Sequence, residues 1–486
     1  MRSFKAMGRA LTAALALTLF LCITAGARDL PDPRSYTPPR SKVEQEKRFY
    51  DDPRPFLKKL GPAQVVPPEI WNLVIADPEE MKRLWAELVG FKAPDLVGKI
   101  APEIKPGKYT YKEVQANPGF KKLMWPAIYE TIKPGGPPFA GNMPEIEVIP
   151  TQQYYVNLKV AQATKENLGK AKLDQNGYMI TDSWVAGIPF PQPSGPHAGR
   201  MLLHNWEVRY SDWGQDMVQY GFAYGYTKDL REDNVIGLNV GIARLAGRVI
   251  FPPYGWMDKR AKERWERDAA LISYTEPRDL YGTTLQAIYF LGPDIMDQQL
   301  MFIPSLRRVR KLSATDTQDP IGGADAIYDD GLGFRQKLSP NRYPYDCKIL
   351  EEREYLMPVR VDDGSGYVTK EGKELHNVLF ERRPIYVLEM IQKDPNYVYG
   401  KRIMLIDKET FMIYHVANYD QKGRLYRTSD INYSWWPEAG IFSWMGAYFI
   451  GKDHIDLHST IQLTYQLPAP WTRGDISLKG MLRRAK

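Results

Sequence analysis

Asp297–Phe334 reads DQQLMFIPSLRRVRKLSATDTQDPIGGADAIYDDGLGF, and the order of its pieces decides the fold. Leu300, Met301, Phe302 and Ile303 form an apolar run that ends at Pro304. Successive strand residues point to opposite faces, so both faces of this run are expected to be sheltered from bulk water. Arg307, Arg308, Arg310 and Lys311 follow as a basic run, with Val309 and Leu312 between them. Then comes an acidic, glycine-rich stretch holding Asp316, Asp319, Gly322, Gly323, Asp325, Asp329, Asp330 and Gly331. The pattern predicts a hydrophobic strand, a turn, a basic strand and a long polar loop.

Outward from that hairpin, two further strands are lopsided. Between Val218 and Tyr226 one face carries Tyr220, Phe222, Tyr224 and Tyr226, and the other Gly221, Ala223 and Gly225. Between Ile236 and Ile242 the bulky face is Ile236, Leu238, Val240 and Ile242, opposite Gly237, Asn239 and Gly241. A bare face means close approach of something to the backbone, either a packed helix or the floor of a ligand cavity. Downstream, alternation predicts strands at Thr283–Leu291, Ile349–Val361, His376–Met390, Lys401–Asp407, Phe411–Tyr419 and Arg424–Tyr433. In a last strand, His454–Gln466, Ile455 through Tyr465 alternate with polar residues. These strands follow one another without strand–helix alternation, which excludes a doubly wound or (β/α)-barrel enzyme. The expected fold class is α+β: a large curved antiparallel β-sheet, an unclosed barrel, with helices covering the concave face.

Phe302-Ile303-Pro304, Arg308-Val309-Arg310-Lys311-Leu312 and the loop Gly323-Ala324-Asp325-Ala326-Ile327-Tyr328-Asp329-Asp330 resemble the signature of the bacterial outer-membrane lipoprotein-sorting (LolA-like) superfamily. The string Tyr399–Arg427, with its turns at Ile406-Asp407 and Tyr419-Asp420, is similar to the same superfamily, and Gly187-Ile188-Pro189-Phe190-Pro191 to its uncharacterised branch, domain of unknown function 1329. The resemblance implies an unclosed barrel with a helical lid that shelters acyl chains. It also implies a transporter of the resistance-nodulation-division (RND) type, or an outer-membrane protein, as partner.

Residues 1–27 read as a cleaved signal peptide: Arg2, Lys5 and Arg9, an apolar core to Thr24, and Ala25-Gly26-Ala27 before the cut. Leu21 precedes Cys22 where a lipoprotein signal needs a small residue, so lipidation is not expected. Export to the periplasm of a Gram-negative bacterium follows. Removing the leader lowers the formal charge from +7 by three, too mild for a nucleic-acid partner. The one remaining thiol, Cys347, leaves no internal disulfide. Residues 28–68 are a Pro-rich extended arm. Residues 69–170 are a helical segment, with helices at Pro78–Val89 (capped by Asp77 and Gly90), at Phe120–Ile132 broken by Pro126, and at Thr151–Gly169. A charged helix is expected at Asp258–Ala270. Residues 171–486 make the β half-barrel.

No Walker loop, G-x-S-x-G, H-E-x-x-H or paired C-x-x-C is present, so an enzyme is not expected. His454, Asp456 and His458 would share one face of the last strand as zinc-type ligands, but an ordinary polar face explains them better. The Asp316–Asp330 loop matches no calcium motif. No cofactor or metal is expected. The expected function is a periplasmic carrier of lipid or another hydrophobic molecule, and the alternative is an adaptor of an export complex that carries nothing. Candidate cavity residues are Tyr220, Phe222, Tyr224, Leu300, Phe302, Met404, Ile406, Ile461 and Leu463. Arg307, Arg308 and Arg310 are candidates for contact with an acidic partner or with anionic headgroups at a membrane surface.

Overall fold

The computed structural model describes residues 66–312, 318, 325–361, 367–368, 373–444 and 446–484. The leader, nearly all of the arm, and Asp316, Asp319, Gly322 and Gly323 lie outside them. Fifteen strands form one sheet. In chain order these are β1 (Gly107–Thr110), β2 (Glu145–Ile149), β3 (Met217–Tyr226), β4 (Glu232–Arg244), β5 (Glu266–Glu276), β6 (Thr284–Phe290), β7 (Gln298–Ile303), β8 (Arg308–Leu312), β9 (Tyr345–Arg360), β10 (Leu379–Gln392), β11 (Lys401–Asp407), β12 (Ile413–Tyr419), β13 (Leu425–Ile431), β14 (Gly446–Asp453) and β15 (Ser459–Pro468).

The spatial order is β1-β2-β10-β11-β12-β13-β14-β15-β3-β4-β5-β6-β7-β8, with β9 also paired to β10. Among the described residues β8 pairs only with β7, so the sheet is not closed. The class is α+β. Neighbours are antiparallel except β2 and β10, which run parallel over Glu147–Ile149 and Leu379–Glu381. That pair stitches the N-terminal segment into the sheet.

The same segment is fastened by buried charge. Arg383 donates to Asp407 Oδ2 at 2.7 Å, Glu381 Oε1 at 2.9 Å and Glu409 Oε2 at 2.8 Å. The two glutamates in turn accept from the backbone of the N-terminal segment: Glu381 from Gln152 N, and Glu409 from Ala93 N and Tyr154 N. The helix expected over Thr151–Gly169 is shorter, Leu158–Glu166, because Gln152 O, which would accept within that helix, is taken by Arg383 Nη1 at 2.7 Å. The N–H groups of Gln152 and Tyr154 are spent on carboxylates, and the helix starts only at the Asn157 cap, whose side chain accepts from Lys159 N. The helix Pro78–Val89 has the expected boundaries, with the Asp77 side chain accepting from Glu79 N and Gly90 left-handed at φ 86°. Trp85, on its buried stripe, donates to Glu409 O at 2.8 Å.

Two other expectations are corrected. The charged helix covers only Lys259–Arg264 and stops at Trp265, which is left-handed (φ 58°). Ala269 and Ala270, the end of the expected helix, instead pair with both β4 and β6 in the sheet. The last strand begins at Ser459, not His454. Asp453 Oδ1 accepts from Ile455 N and Asp456 N, closing a turn in which Leu457 takes φ 61°.

Cross-strand partners share a face, so the register traces one face through the sheet. From Thr460 it runs through Gly451, Ser429 and Val416 to Met404 and Leu388. Over β10–β13 this inner face is filled. The segment Tyr328–Gly333 lies on it so closely that a Cβ on Gly333 would stand 2.7 Å from Ile431 and 3.0 Å from Val416. The helix Ala198–Glu207 packs there too: a Cβ on Gly199 would meet Leu388 at 2.9 Å. The opposite face is covered on β4 by the C-terminal stretch, where Trp471 lies on Gly241. Among the described residues no helix is long and apolar enough to cross a membrane.

Candidate functional site

Over β3–β8 the inner face is not filled, and a cavity of about 520 Å³ remains. Its floor is the bulky side of β4, Ile236, Leu238, Val240 and Ile242, next to the bare side of β3, represented by Ala223 and Gln219. Ala270, Ile272 and Tyr274 of β5, Leu285 of β6, and Gln299, Met301 and Ile303 of β7 continue it to Leu312 on the edge strand. The far wall is Ala326, Tyr328, Leu332 and Arg335, together with Trp444, Tyr448 and Phe449. The floor is smooth because small residues on β3 face large ones on β4: Ala223 stands opposite Ile236, and Gly221 opposite Leu238.

The structure places the nine expected cavity residues elsewhere. Tyr220, Phe222 and Tyr224 point to the other face of β3 from Gln219 and Ala223, and are buried there. Leu300 and Phe302 alternate with the lining Gln299, Met301 and Ile303, and Ile461 and Leu463 alternate with the lining Thr460 and Gln462. Met404 and Ile406 do face inward, but in the half of the sheet that the Tyr328–Gly333 segment fills. Alternation finds the two faces without saying which is inner: of the two readings of a bare face, the cavity floor is the one found on β3, whereas the candidate residues were drawn from its bulky face.

Arg307, Arg308 and Arg310 are exposed on or beside the edge strand. Arg308 pairs with Ile303 and Arg310 with Met301, so both stand on the cavity side of the sheet, at its rim. Arg335, absent from the sequence-derived candidates, lies deeper. Its Nη2 donates to Tyr289 Oη at 3.3 Å, and its guanidinium lies 4.5 Å over the Tyr328 ring. It also lines a smaller recess of about 80 Å³ with Glu207, Arg267, Asp268, Asp297 and Lys337. Its only sequence signal was position, one residue beyond the glycine-rich loop.

The remaining polar candidates are dispersed. His454 Nε2 bonds Thr428 Oγ1 at 3.0 Å, whereas His458 Nδ1 lies 2.9 Å from Asp325 Oδ2. Among the described residues no group of three or more His, Cys, Asp or Glu is placed to hold a metal. Asp329 and Asp330 are buried structural acceptors: Tyr397 Oη donates to Asp329 and Tyr399 Oη to Asp330, each at 2.6 Å, and Arg402 pairs with Asp329. Burial pushes the Cys347 thiol up to about 11, so it is protonated at neutral pH.

The family model for DUF1329, a protein family of unknown function, matches residues 130–466, well over half of the chain. The chain belongs to the DUF1329 family. The match spans the sheet from β2 to β15, the cavity and the tyrosine-anchored loop. Solved structures with detectable likeness include a domain from Vibrio parahaemolyticus named for outer-membrane lipoprotein sorting (18% identity, 58% of this chain and 98% of that one, TM-score 0.40). A DUF1329 protein from Desulfovibrio piger follows at 14% identity, with 58% and 95% coverage and TM-score 0.39. A LolA superfamily protein from Nitrosomonas europaea stands at 15%, with 58% and 98% coverage and TM-score 0.35. No curated protein matches the chain in sequence.

Proposed function

We propose that this DUF1329 protein is a periplasmic carrier that shields a lipid or other hydrophobic molecule from water. The observation that carries this reading is the cavity of about 520 Å³ walled by aliphatic side chains of β4–β8. Its size is within the range of about 300–1,000 Å³ typical of small-molecule sites. Each methylene buried there contributes about 0.8 kcal/mol, so a single alkyl chain is held by desolvation alone. The leader-like residues 1–27 and the motifs shared with the lipoprotein-sorting superfamily point to the same compartment and cargo class.

Arg307, Arg308 and Arg310 support a docking role for the edge strand, with anionic headgroups or an acidic partner as the surface it meets. An RND-type exporter or an outer-membrane protein would then receive the cargo. The adaptor reading draws on the same exposed edge but leaves the cavity without a purpose. Native mass spectrometry of protein purified from the periplasm separates the two. A bound hydrophobic molecule, released by organic extraction, is expected. Protein that is empty and also fails to take up a hydrophobic fluorescent probe would overturn the carrier.

A further inference from the structure

Arg335 is a half-buried cation in ion-pair contact with no described acid, although Asp212 lies close enough to feel its charge. Its charged neighbours are matched: Arg267 pairs with Glu207 at 2.6 Å and Asp268 at 2.9 Å, Arg244 with Asp268 at 2.8 Å, and Lys337 with Asp297 at 3.4 Å. Among the described residues no carboxylate lies within ion-pair distance of Arg335, and its side chain makes one hydrogen bond, to Tyr289 Oη. The rest of the guanidinium faces the cavity that it lines. A charge drawn out of water without a partner is costly. No described residue supplies that partner, and whatever fills the cavity does.

Position decides which end of that molecule meets it. Arg335 and Leu332 share the small recess with Ile242, at the inner end of β4. Asp279, Leu280 and Ile303 mark the other end, where the turns after β5 and β7 reach solvent. From Ile236 to Ile242 the floor runs about 20 Å at ~3.3 Å per residue, long enough for an extended alkyl chain. Among the described residues Asp279 is the one carboxylate in the lining, and it lies in the exposed turn, where water and salt screen it.

We infer that the occupant is a single-chain amphiphile bound head inward, its anionic head paired with Arg335 beside Tyr328 and its tail lying along β4 toward the turns. This rests on the carrier reading and adds the class and polarity of the cargo. An exposed head at Arg308 or Arg310 would gain little, because water and salt screen a surface ion pair. At Arg335 the desolvation of the cation is already paid in the empty protein.

The test uses the whole mature chain and competition against a hydrophobic fluorescent probe at pH 8. The competitors are tetradecanoate, tetradecyl phosphate, tetradecanol and tetradecyltrimethylammonium. Both anions are expected to bind at least tenfold more tightly than the alcohol, and the cation more weakly than the alcohol. The tighter of the two anions identifies the head as a carboxylate or a phosphate, and either supports the assignment. Arg335→Gln is expected to erase the preference for anions while leaving the alcohol's Kd within threefold, which also shows that the variant is folded. The double variant Arg308→Gln/Arg310→Gln is expected to keep the preference. Equal affinity for anion and alcohol, or a preference that survives Arg335→Gln, overturns the head-inward assignment and leaves the carrier standing. A wild-type protein that takes up the probe but none of the four overturns the single-chain assignment, and one that takes up no probe overturns the carrier itself.

Discussion

Phe222 stands directly opposite Gly237 across the β3–β4 pair, and a Cβ on Gly237 would come within 3.1 Å of the phenylalanine ring. One residue along, the order reverses: Ala223 faces Ile236 on the cavity side. Each face of this pair therefore matches bulk on one strand with absence on the other. The two faces have different work.

Substitutions on the two faces separate binding from stability. Leu238→Trp puts an indole into the cavity and is expected to lower probe affinity at least tenfold with a small change in Tm. Phe222→Ala removes a ring buried on the other face, at a cost of about 3–5 kcal/mol, and is expected to leave probe stoichiometry unchanged in the folded fraction. Fluorescence titration together with denaturant unfolding checks both. Probe binding lost in Phe222→Ala and kept in Leu238→Trp would put the cavity on the wrong side of the sheet.

The architecture was legible in the sequence for a physical reason. Period-two patterning, the Asp407–Thr410 and Asp420–Gly423 turns and the Asp77/Gly90 caps are local, and local chemistry sets them whatever lies further along the chain. The site was not legible in the same way. Whether Phe222 or Ala223 faces the hollow depends on Trp471, which covers Gly241 from more than two hundred residues away, and on the Tyr328–Gly333 segment, which fills one half of the inner face and leaves the other open. Arg335 was not among the candidates, because having no acid in ion-pair contact is a property of three-dimensional surroundings. The arginines chosen from sequence, Arg308 and Arg310, did prove to stand on the cavity side of the sheet, at its exposed edge.

The C-terminal stretch is expected to hold the β4–β5 region together. A Cβ on Gly241 would lie 2.0 Å from the Trp471 ring, whose Nε1 donates to Met217 O at 3.0 Å. Gly241→Ala forces that ring away and is expected to cost about 1–3 kcal/mol. Trp471→Ala, which empties the site, is expected to cost about 3–5 kcal/mol. The double variant should lose less than the sum, because the alanine methyl no longer meets an indole. Urea unfolding of the four proteins measures the coupling, and strict additivity would mean that the two residues do not touch.

Arg383 carries three buried carboxylates, Glu381, Asp407 and Glu409, and its Nη1 also donates to Gln152 O at 2.7 Å. Arg383→Met leaves those acids without their cation in a site closed to water. The expected loss is about 3–5 kcal/mol, and it should fall first on the N-terminal segment that Gln152, Tyr154 and Ala93 attach. Hydrogen exchange on Pro78–Val89 and β2 would then speed up before that on β12–β15. Uniform acceleration would show that the cluster does not act as a local fastening.

Asp212 and His454 titrate in one window with opposite effects on stability. Asp212 has a left-handed backbone (φ 63°), as do Trp213 and Gln215, and neither carboxylate oxygen has a well-formed hydrogen bond. Burial pushes Asp212 up to about 6, against the pull of Arg209 at 3.8 Å. The folded protein thus holds this proton more firmly than the unfolded chain, and stability is lost as pH rises from about 4 through 6. Over that span the loss is on the order of 3 kcal/mol. His454 is the reverse case: burial, then Lys452, lower it to about 4, with Asp453 and Asp430 opposing. The unfolded chain binds that proton first, so stability is lost as pH falls from the ordinary histidine value of about 6.5 toward 4. The Asp212 and His454 slopes therefore oppose each other between pH 4 and 6.5, and Glu409, pushed up to about 7 by burial, adds to the Asp212 side. Asp212→Asn, which suits a left-handed position, is expected to raise Tm at pH 7.5 by more than at pH 4. His454→Gln is expected to do the opposite, with Tm rising as the solution is acidified toward pH 4. Calorimetry of the three proteins across pH 4–8 reads both slopes directly. If Asp212→Asn leaves the profile unchanged, the carboxylate is already satisfied in the folded protein and its strained turn needs another explanation.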